Sequence, residues 1–196
     1  EDFPYLTYQL FDEERNQPLR DKITGHFSFA GISVLPAITS RGCPYKCTYC
    51  NNFSFMNILG GPKRFLRTYS VSRVVSELKT LTSAYQPEFI DFMDEMFLKK
   101  TSWLQDFCEA YGQNIKLPFS INVRIDKCTK DVIKMLHDSG LKLVLFGLEC
   151  GDENYRSQYL NRYMSNSDIL RGSELLRKYD IAIITYSMFG MPFETP

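Results

Sequence analysis

The sequence carries no surplus of charge: 23 basic and 23 acidic residues leave a formal net charge of zero. That removes the broad electrostatic attraction that draws a chain to nucleic acid or to an anionic membrane surface. Neither nucleic acid nor membrane is therefore expected among its partners. Long apolar runs are missing too. The longest near-apolar stretch, Ile181 to Phe193, holds Thr185, Tyr186 and Ser187 and is too short to span a bilayer. The opening residues do not read as a signal peptide. Histidine is scarce, at two residues, and His26 reads as a surface or packed side chain rather than a ligand. What is left is the composition of a soluble globular protein, 44% hydrophobic and 23% charged, with 196 residues for one domain and a sizeable core.

Cysteine is where the sequence becomes specific. Six could form three disulfides in a secreted protein, but three are packed into Cys43-Pro-Tyr-Lys-Cys47-Thr-Tyr-Cys50. That clustering argues for a reducing, cytoplasmic location. The scattered Cys108, Cys128 and Cys150 default to core thiols. Thiolates are soft ligands that suit zinc and iron–sulfur clusters. A structural zinc normally takes four protein ligands, and no fourth Cys or His lies near these three. A cubane cluster on three thiolates keeps one iron open to a small molecule bearing an amine and a carboxylate. Zinc with a distant fourth ligand and an incidental set of thiols stay open as alternatives.

Residues 1–36 show no clear period and read as an extended leading segment, with one helical turn around Tyr8–Phe11. Ala37-Ile-Thr-Ser40 is the first expected strand, and residues 51–69 read as a long loop of the functional or mobile kind. From there the pattern is regular. Val71, Val74, Val75, Leu78 and Leu81 fall at helical spacing behind a Ser70 cap. Phe89–Met93, Pro118–Val123, Leu141–Phe146 and Ile181–Met188 are strands, separated by helices around Trp103–Tyr111, Thr129–Leu136 and Ile169–Leu176. Thr101 or Ser102 is expected to cap the first of these helices. Gly140 ends the second, and the box-like Ser165–Asp168 opens the third. Alternating β and α segments predict parallel strands with right-handed crossovers, closing toward a barrel or staying open as a doubly wound sheet.

The polar residues collect where these strands end, which is where a β/α barrel builds its active site. The first strand ends at the cysteines and the second at Asp94-Glu95. The third carries Ser120, Asn122 and Arg124 on one face. The fourth ends at Gly147-Leu-Glu149 and the fifth at Gly190-Met-Pro-Phe-Glu194. A single carboxylate after a strand is usually a cap or a solvated loop residue; five strand ends together are harder to dismiss.

Four stretches extend the cysteine loop, in which aromatic Tyr49 precedes the last thiol: Ile90-Asp-Phe-Met-Asp94-Glu95-Met-Phe97, Gly147-Leu-Glu149-Cys-Gly151-Asp-Glu153, Leu160-Asn-Arg162-Tyr-Met-Ser165, and Phe189-Gly190-Met-Pro-Phe193-Glu194-Thr195. With the C-x3-C-x2-C spacing they resemble the radical S-adenosylmethionine (radical SAM) superfamily, and most of all its subgroup with a cobalamin-binding domain ahead of the barrel. The ferredoxin run is different, C-x2-C-x2-C with a further Cys. Glu95 stands where the family has a second Asp, and Phe193 where it commonly has glycine.

The resemblance implies an α/β fold, a partial parallel β/α barrel over residues 37–196 with five of the usual six strands. Residues 1–36 would then be a linker from a missing domain, with the chain cut at both ends. It implies an enzyme whose Cys43, Cys47 and Cys50 hold a [4Fe–4S] cluster. The cluster's open iron chelates SAM, and reductive cleavage gives methionine and a 5′-deoxyadenosyl radical. Cobalamin, from a domain outside this chain, would make methyl transfer the outcome. Of the SAM-binding residues, Tyr49 would lie near the adenine, as would Gly190. Asp94 and Glu95 would meet the amino group and Glu149 the ribose. Arg162 would pair with the carboxylate, and Asn122 and Arg124 would serve sugar, carboxylate or substrate. Partners would be a small-molecule or peptide substrate and an electron donor such as flavodoxin or ferredoxin. Two alternatives stand beside this: a non-catalytic iron–sulfur or zinc module, and a tRNA-modifying enzyme like the methylthiotransferases.

Overall fold

The computed structural model describes Tyr5 and residues 32–194; the expected turn at Tyr8–Phe11, and His26, lie outside the described residues. Strands β1 (Val34–Ala37) and β2 (Ser40–Arg41) precede the cysteine loop, and α1 (Asn52–Ile58), α2 (Pro62–Phe65) and β3 (Arg67–Thr68) follow it. Then come α3 (Val71–Tyr85), β4 (Phe89–Phe92), α4 (Thr101–Asn114), β5 (Phe119–Asn122) and a 3-10 turn (Ile125–Lys127). The chain continues through α5 (Lys130–Asp138), β6 (Leu141–Glu149), α6 (Glu153–Gln158), α7 (Asn166–Lys178) and β7 (Ala182–Ser187).

The main sheet runs β1-β4-β5-β6-β7 with every neighbour parallel. Its order never reverses, whereas a doubly wound sheet turns back at a switch point. Right-handed crossovers in one direction stack the helices on one face and curl the sheet. β1 and β7 stay unpaired with each other among the described residues, so this is an open, five-stranded part of a β/α barrel. The core lies between sheet and helices. Val74, Leu78, Leu104, Phe107, Ile133 and Leu136 meet Ile90, Phe92, Phe119 and Val144 there. Phe92 is at its centre, with the rings of Phe97, Phe107, Tyr111 and Phe119 at 5.1–6.1 Å. Each large apolar side chain removed from water contributes about 1.5–3 kcal/mol. No helix among the described residues is long and apolar enough to cross a membrane.

The structure moves three boundaries. The first strand is Val34–Ala37 rather than 37–40. Pro36 hides it in the sequence, but β1 has a sheet neighbour only on the β4 side, and an edge tolerates a residue without an N–H. The loop expected over residues 51–69 contains α1, α2 and β3, with β3 antiparallel to β2. Helix α1 buries only Met56, so it leaves no apolar period to read. Ser70 caps α3 as expected, its Oγ accepting from Arg73 N at 3.3 Å. Helix α4 instead starts behind Lys100, with no side-chain cap from Thr101 or Ser102.

Gly172 in α7 packs against the 3-10 turn: a Cβ there would lie 2.5 Å from Ile125 Cγ1 and 2.9 Å from Ile125 O. Helix propensity alone would make Gly172→Ala stabilising. The contact reverses that sign, and the variant is expected to lose about 1–3 kcal/mol, read as a lower urea midpoint at unchanged m. A higher midpoint would mean that Ile125 yields freely.

Candidate functional site

The cysteine loop leaves β2 at the C-terminal edge of the sheet and is held at three places. Its near arm is anchored by Asp94, two residues past β4. The Asp94 carboxylate is fully buried. It accepts from Thr39 N (2.9 Å), Thr39 Oγ1 (2.8 Å) and the Ser40 hydroxyl, and it pairs with Lys99 Nζ at 3.1 Å. Burial pulls the Lys99 ammonium below its ordinary value, and Asp94 opposes that shift. Glu95 Oε2 accepts from Gly42 N at 3.2 Å. Of the donors to Asp94, three meet Oδ1 and one, Thr39 N, meets Oδ2.

The middle of the loop is anchored by Arg124, past β5. Its guanidinium lies 4.0 Å from the centre of the Tyr45 ring, donates to Asp126 (3.0 Å) and reaches Tyr163 O at 2.8 Å. Arg124 thus clamps the loop through Nε and Nη2. Asn122 makes one long bond, Nδ2 to Phe92 O at 3.4 Å.

The far arm is laced to the segment after α6. Thr48 N donates to Leu160 O (3.1 Å), Thr48 Oγ1 to Tyr159 O (2.6 Å) and Asn161 Nδ2 to Lys46 O (2.7 Å). Asn161 takes a left-handed φ of 49° to do so. Arg162, 7% exposed, then reaches between loop and sheet. Its Nη1 approaches Cys47 Sγ (3.7 Å) and the Tyr49 hydroxyl (3.3 Å), and its Nη2 donates to Gly147 O (2.6 Å). Its Nε is buried without a partner. Burial disfavours the Arg162 charge, yet Tyr49, Cys47 and Glu149 outweigh it and raise the group above its ordinary value.

Tyr49 OH donates to Glu149 Oε1 at 2.9 Å. Burial first, with Arg162 opposing and Glu149 reinforcing, keeps the phenol proton on well above the usual range. Glu149 sits at a register irregularity ending β6 with φ of 67°, the kind of backbone cost that clusters at functional sites. Its carboxylate folds back over Gly147, where a Cβ would lie 1.9 Å from Oε1. That is the physical content of the Gly-x-Glu spacing.

The three thiols are free, Cys47 buried and Cys43 and Cys50 half-buried. Burial pushes the Cys43 thiol up; a backbone bond to Tyr45 opposes this, and Cys47 and Cys50 add to it. The three therefore sense one another, although no three Cys, His, Asp or Glu side chains among the described residues converge as they would around a single ion. Around one zinc, thiolates at about 2.3 Å stand within about 4 Å of each other; thiolates on separate corners of a cubane need not. Cys108 and Cys128 are core thiols, and burial pushes Cys128 up to about 12. Cys150 is only half-buried, which corrects its expected place.

After β7, Gly190 adopts φ of 72° with open space where a Cβ would stand. Its N and that of Met191 donate to Glu194 Oε2 (2.7 and 3.1 Å). Phe193 keeps a left-handed φ of 66°, a conformation suited to glycine, and stacks on Tyr159 at 5.4 Å.

Three contributors had no signal in the sequence: Lys99, Tyr45 as a stacking ring, and Arg156. Arg156 is fully buried and donates to Cys150 O (2.7 Å), Met164 O (3.1 Å) and Asn166, fixing the turn that presents Arg162. Asp91 is a fourth. It lies in register with Ser120, whose Oγ donates to it at 2.5 Å. Burial raises the Asp91 carboxyl and the Ser120 bond only partly offsets this. With a folded value above the unfolded one, Asp91 lowers stability as pH rises through that window. Asp91→Asn is expected to raise the thermal midpoint at pH 7, with the gain vanishing near pH 3; an equal gain at both pH values would trace it to packing.

Comparison with known proteins gives a consistent picture. The family model described as the radical SAM superfamily matches residues 37–196. An uncharacterized methyltransferase of Pyrococcus horikoshii is 24% identical over 97% of this chain and 43% of its own length. The anaerobic magnesium-protoporphyrin IX monomethyl ester cyclase of Cereibacter sphaeroides is 25% identical over 84% of this chain and 26% of its own. The chain thus spans less than half of these relatives. Among solved structures, the radical SAM methyltransferase TsrM of Kitasatospora setae, with cobalamin and a [4Fe–4S] cluster bound, superposes with a TM-score of 0.69. It is 18% identical, over 84% of this chain and 32% of that one. The cobalamin-dependent radical SAM enzyme OxsB gives 0.64 at 21% identity, over 79% of this chain and 23% of that one.

Proposed function

The chain belongs to the radical SAM superfamily, and from that membership we propose that it is the core of an enzyme that binds a [4Fe–4S] cluster and SAM and cleaves SAM reductively, with cobalamin as a further cofactor. Cys43, Cys47 and Cys50 would hold the cluster. When bound and reduced, it supplies the single electron that breaks a carbon–sulfur bond of SAM. The observation that carries this reading is Arg162: a guanidinium buried against Cys47 and the end of β6 whose Nε has no partner. An orphaned buried donor is costly, and a carboxylate is the group a planar fork satisfies best.

The chain's own residues do the rest. Asp94 with Lys99, Arg124 with Tyr45, and the 159–163 segment hold the loop, and a loop held in place loses less freedom on binding. Arg162 would receive the SAM carboxylate. The Tyr49–Glu149 pair, with Tyr49 protonated, leaves a carboxylate toward the ribose hydroxyls, and the open face of Gly190 admits the adenine. Cobalamin would be held by parts of the protein outside residues 32–194. Methyl transfer is the outcome its methyltransferase relatives favour, on a small-molecule or peptide substrate.

The test is anaerobic reconstitution with iron and sulfide, then metal counts and an electron paramagnetic resonance spectrum of the reduced protein with and without SAM. About four irons per chain and a spectrum altered by SAM are expected. One tightly held zinc would replace this reading with a structural metal module. Cobalamin retained by the full-length protein would support methyl transfer.

A further inference from the structure

The net charge of zero hides a local imbalance. A groove of about 890 Å³ lies outside the sheet along the cysteine loop. Arg41, Arg67, Lys99, Lys100 and Lys127 line it, and no Asp or Glu does. Lys99 is neutralised by Asp94, and Lys127 is shared with Asp126 at 3.2 Å. Arg41, Arg67 and Lys100 are exposed and form no ion pair among the described residues.

Two of these cations face each other. In the β2–β3 ribbon Arg41 is the register partner of Arg67. Like charges directly opposite are destabilising in an antiparallel pair, and this ribbon has only two residues per strand to resist them. A local rule broken without internal compensation points to function, and an anion between the two arginines would relieve it. The wall of the groove is the loop itself, through Gly42, Pro44 and Tyr45 on either side of Cys43.

We propose that this groove is the docking surface for an acidic one-electron carrier protein, seated across Arg41, Arg67 and Lys100 against the loop that bears Cys43. The proposal rests on the reductive chemistry above, which needs an external electron delivered close to the three thiols. The occupant is identified by charge complementarity: a cationic groove in a neutral chain selects an anionic face.

The test uses the full-length reconstituted protein with two reductants, dithionite and reduced flavodoxin as the acidic probe. The R41E/R67E variant is expected to lose at least about tenfold in flavodoxin-driven SAM cleavage while the dithionite-driven rate is unchanged. Direct titration of flavodoxin onto the protein should show an affinity that falls steeply between low and 0.5 M salt (about 10 Å of screening length at 0.1 M, about 3 Å at 1 M) and falls again in the variant. K100E, outside the ribbon, should act in the same direction and guards against misfolding of β2–β3. Equal loss with both reductants, or flavodoxin binding indifferent to salt and to all three substitutions, overturns the proposal. Absence of SAM cleavage with either reductant in the unaltered protein would refute the proposed reaction instead, and the titration would still decide the docking surface.

Discussion

Cys43→Ala in the full-length protein is expected to abolish both cluster and chemistry: reconstituted iron falls from about four per chain toward none, and SAM cleavage drops by more than about 10³-fold. The drop is that large because the cofactor carries the hard step and the protein supplies only its seat. Cys43 is the thiol nearest the basic groove in sequence, half-buried, with Cys47 and Cys50 close enough to shift it. With three thiols proposed to hold the cluster there is no spare ligand. Cys150→Ala is the control. Cys150 is also half-buried and near in sequence to Glu149, but it belongs to no loop bond with the cluster residues, and its iron count should stay unchanged. Retention of iron and of SAM cleavage in Cys43→Ala would sink the proposed reaction.

Arg162→Lys is the second large effect. The guanidinium reaches Cys47, Tyr49 and Gly147 at once and keeps Nε in reserve. A lysine is a point charge on a flexible stem and cannot span the same fork. SAM affinity is expected to fall about 10–100-fold, the size seen when a residue orienting a metal centre is lost. Leaving Gly147 O without its donor should cost a further 1–3 kcal/mol or so of stability. Two roles are separable here. If Arg162 contacts SAM, iron content is retained while the SAM-dependent change in the paramagnetic spectrum needs far more SAM. If Arg162 only clasps the loop, iron content and thermal midpoint fall together, and the loaded fraction binds SAM normally.

The two halves of this site were legible to different degrees. The thiol spacing and the Gly-x-Glu and Leu-Asn-Arg stretches stand in the sequence as motifs, and the last two prove to have a physical reason. Glu149 needs the space that Gly147 lacks a Cβ to fill, and Asn161 needs a left-handed φ to reach Lys46 O. Asp94 and Arg124 were equally visible as polar residues at strand ends, but their partners were not. Thr39, Ser40 and Lys99 are 55, 54 and 5 residues from Asp94, and Tyr163 is 39 from Arg124. A spacing pattern reports which residues are available; it does not report which are already spent on one another.

Local chemistry therefore determined the regular elements from α3 onward and the spacing of the cysteine loop. Apolar period, Ser70 and Ser165 caps, and alternating β and α segments need only neighbours within a few residues, and those neighbours are printed in the chain. The tertiary structure decided direction and commitment. Winding without reversal distinguishes a barrel from a doubly wound sheet only once Leu35 lies beside Ile90 and Ser120 beside Leu143. The opposition of Arg41 to Arg67 exists only because Ser40–Arg41 pairs back on Arg67–Thr68. Burial of Arg162 against Cys47, 115 residues away, leaves a bare donor that no sequence pattern contains, because an unsatisfied atom is a property of what surrounds it in space.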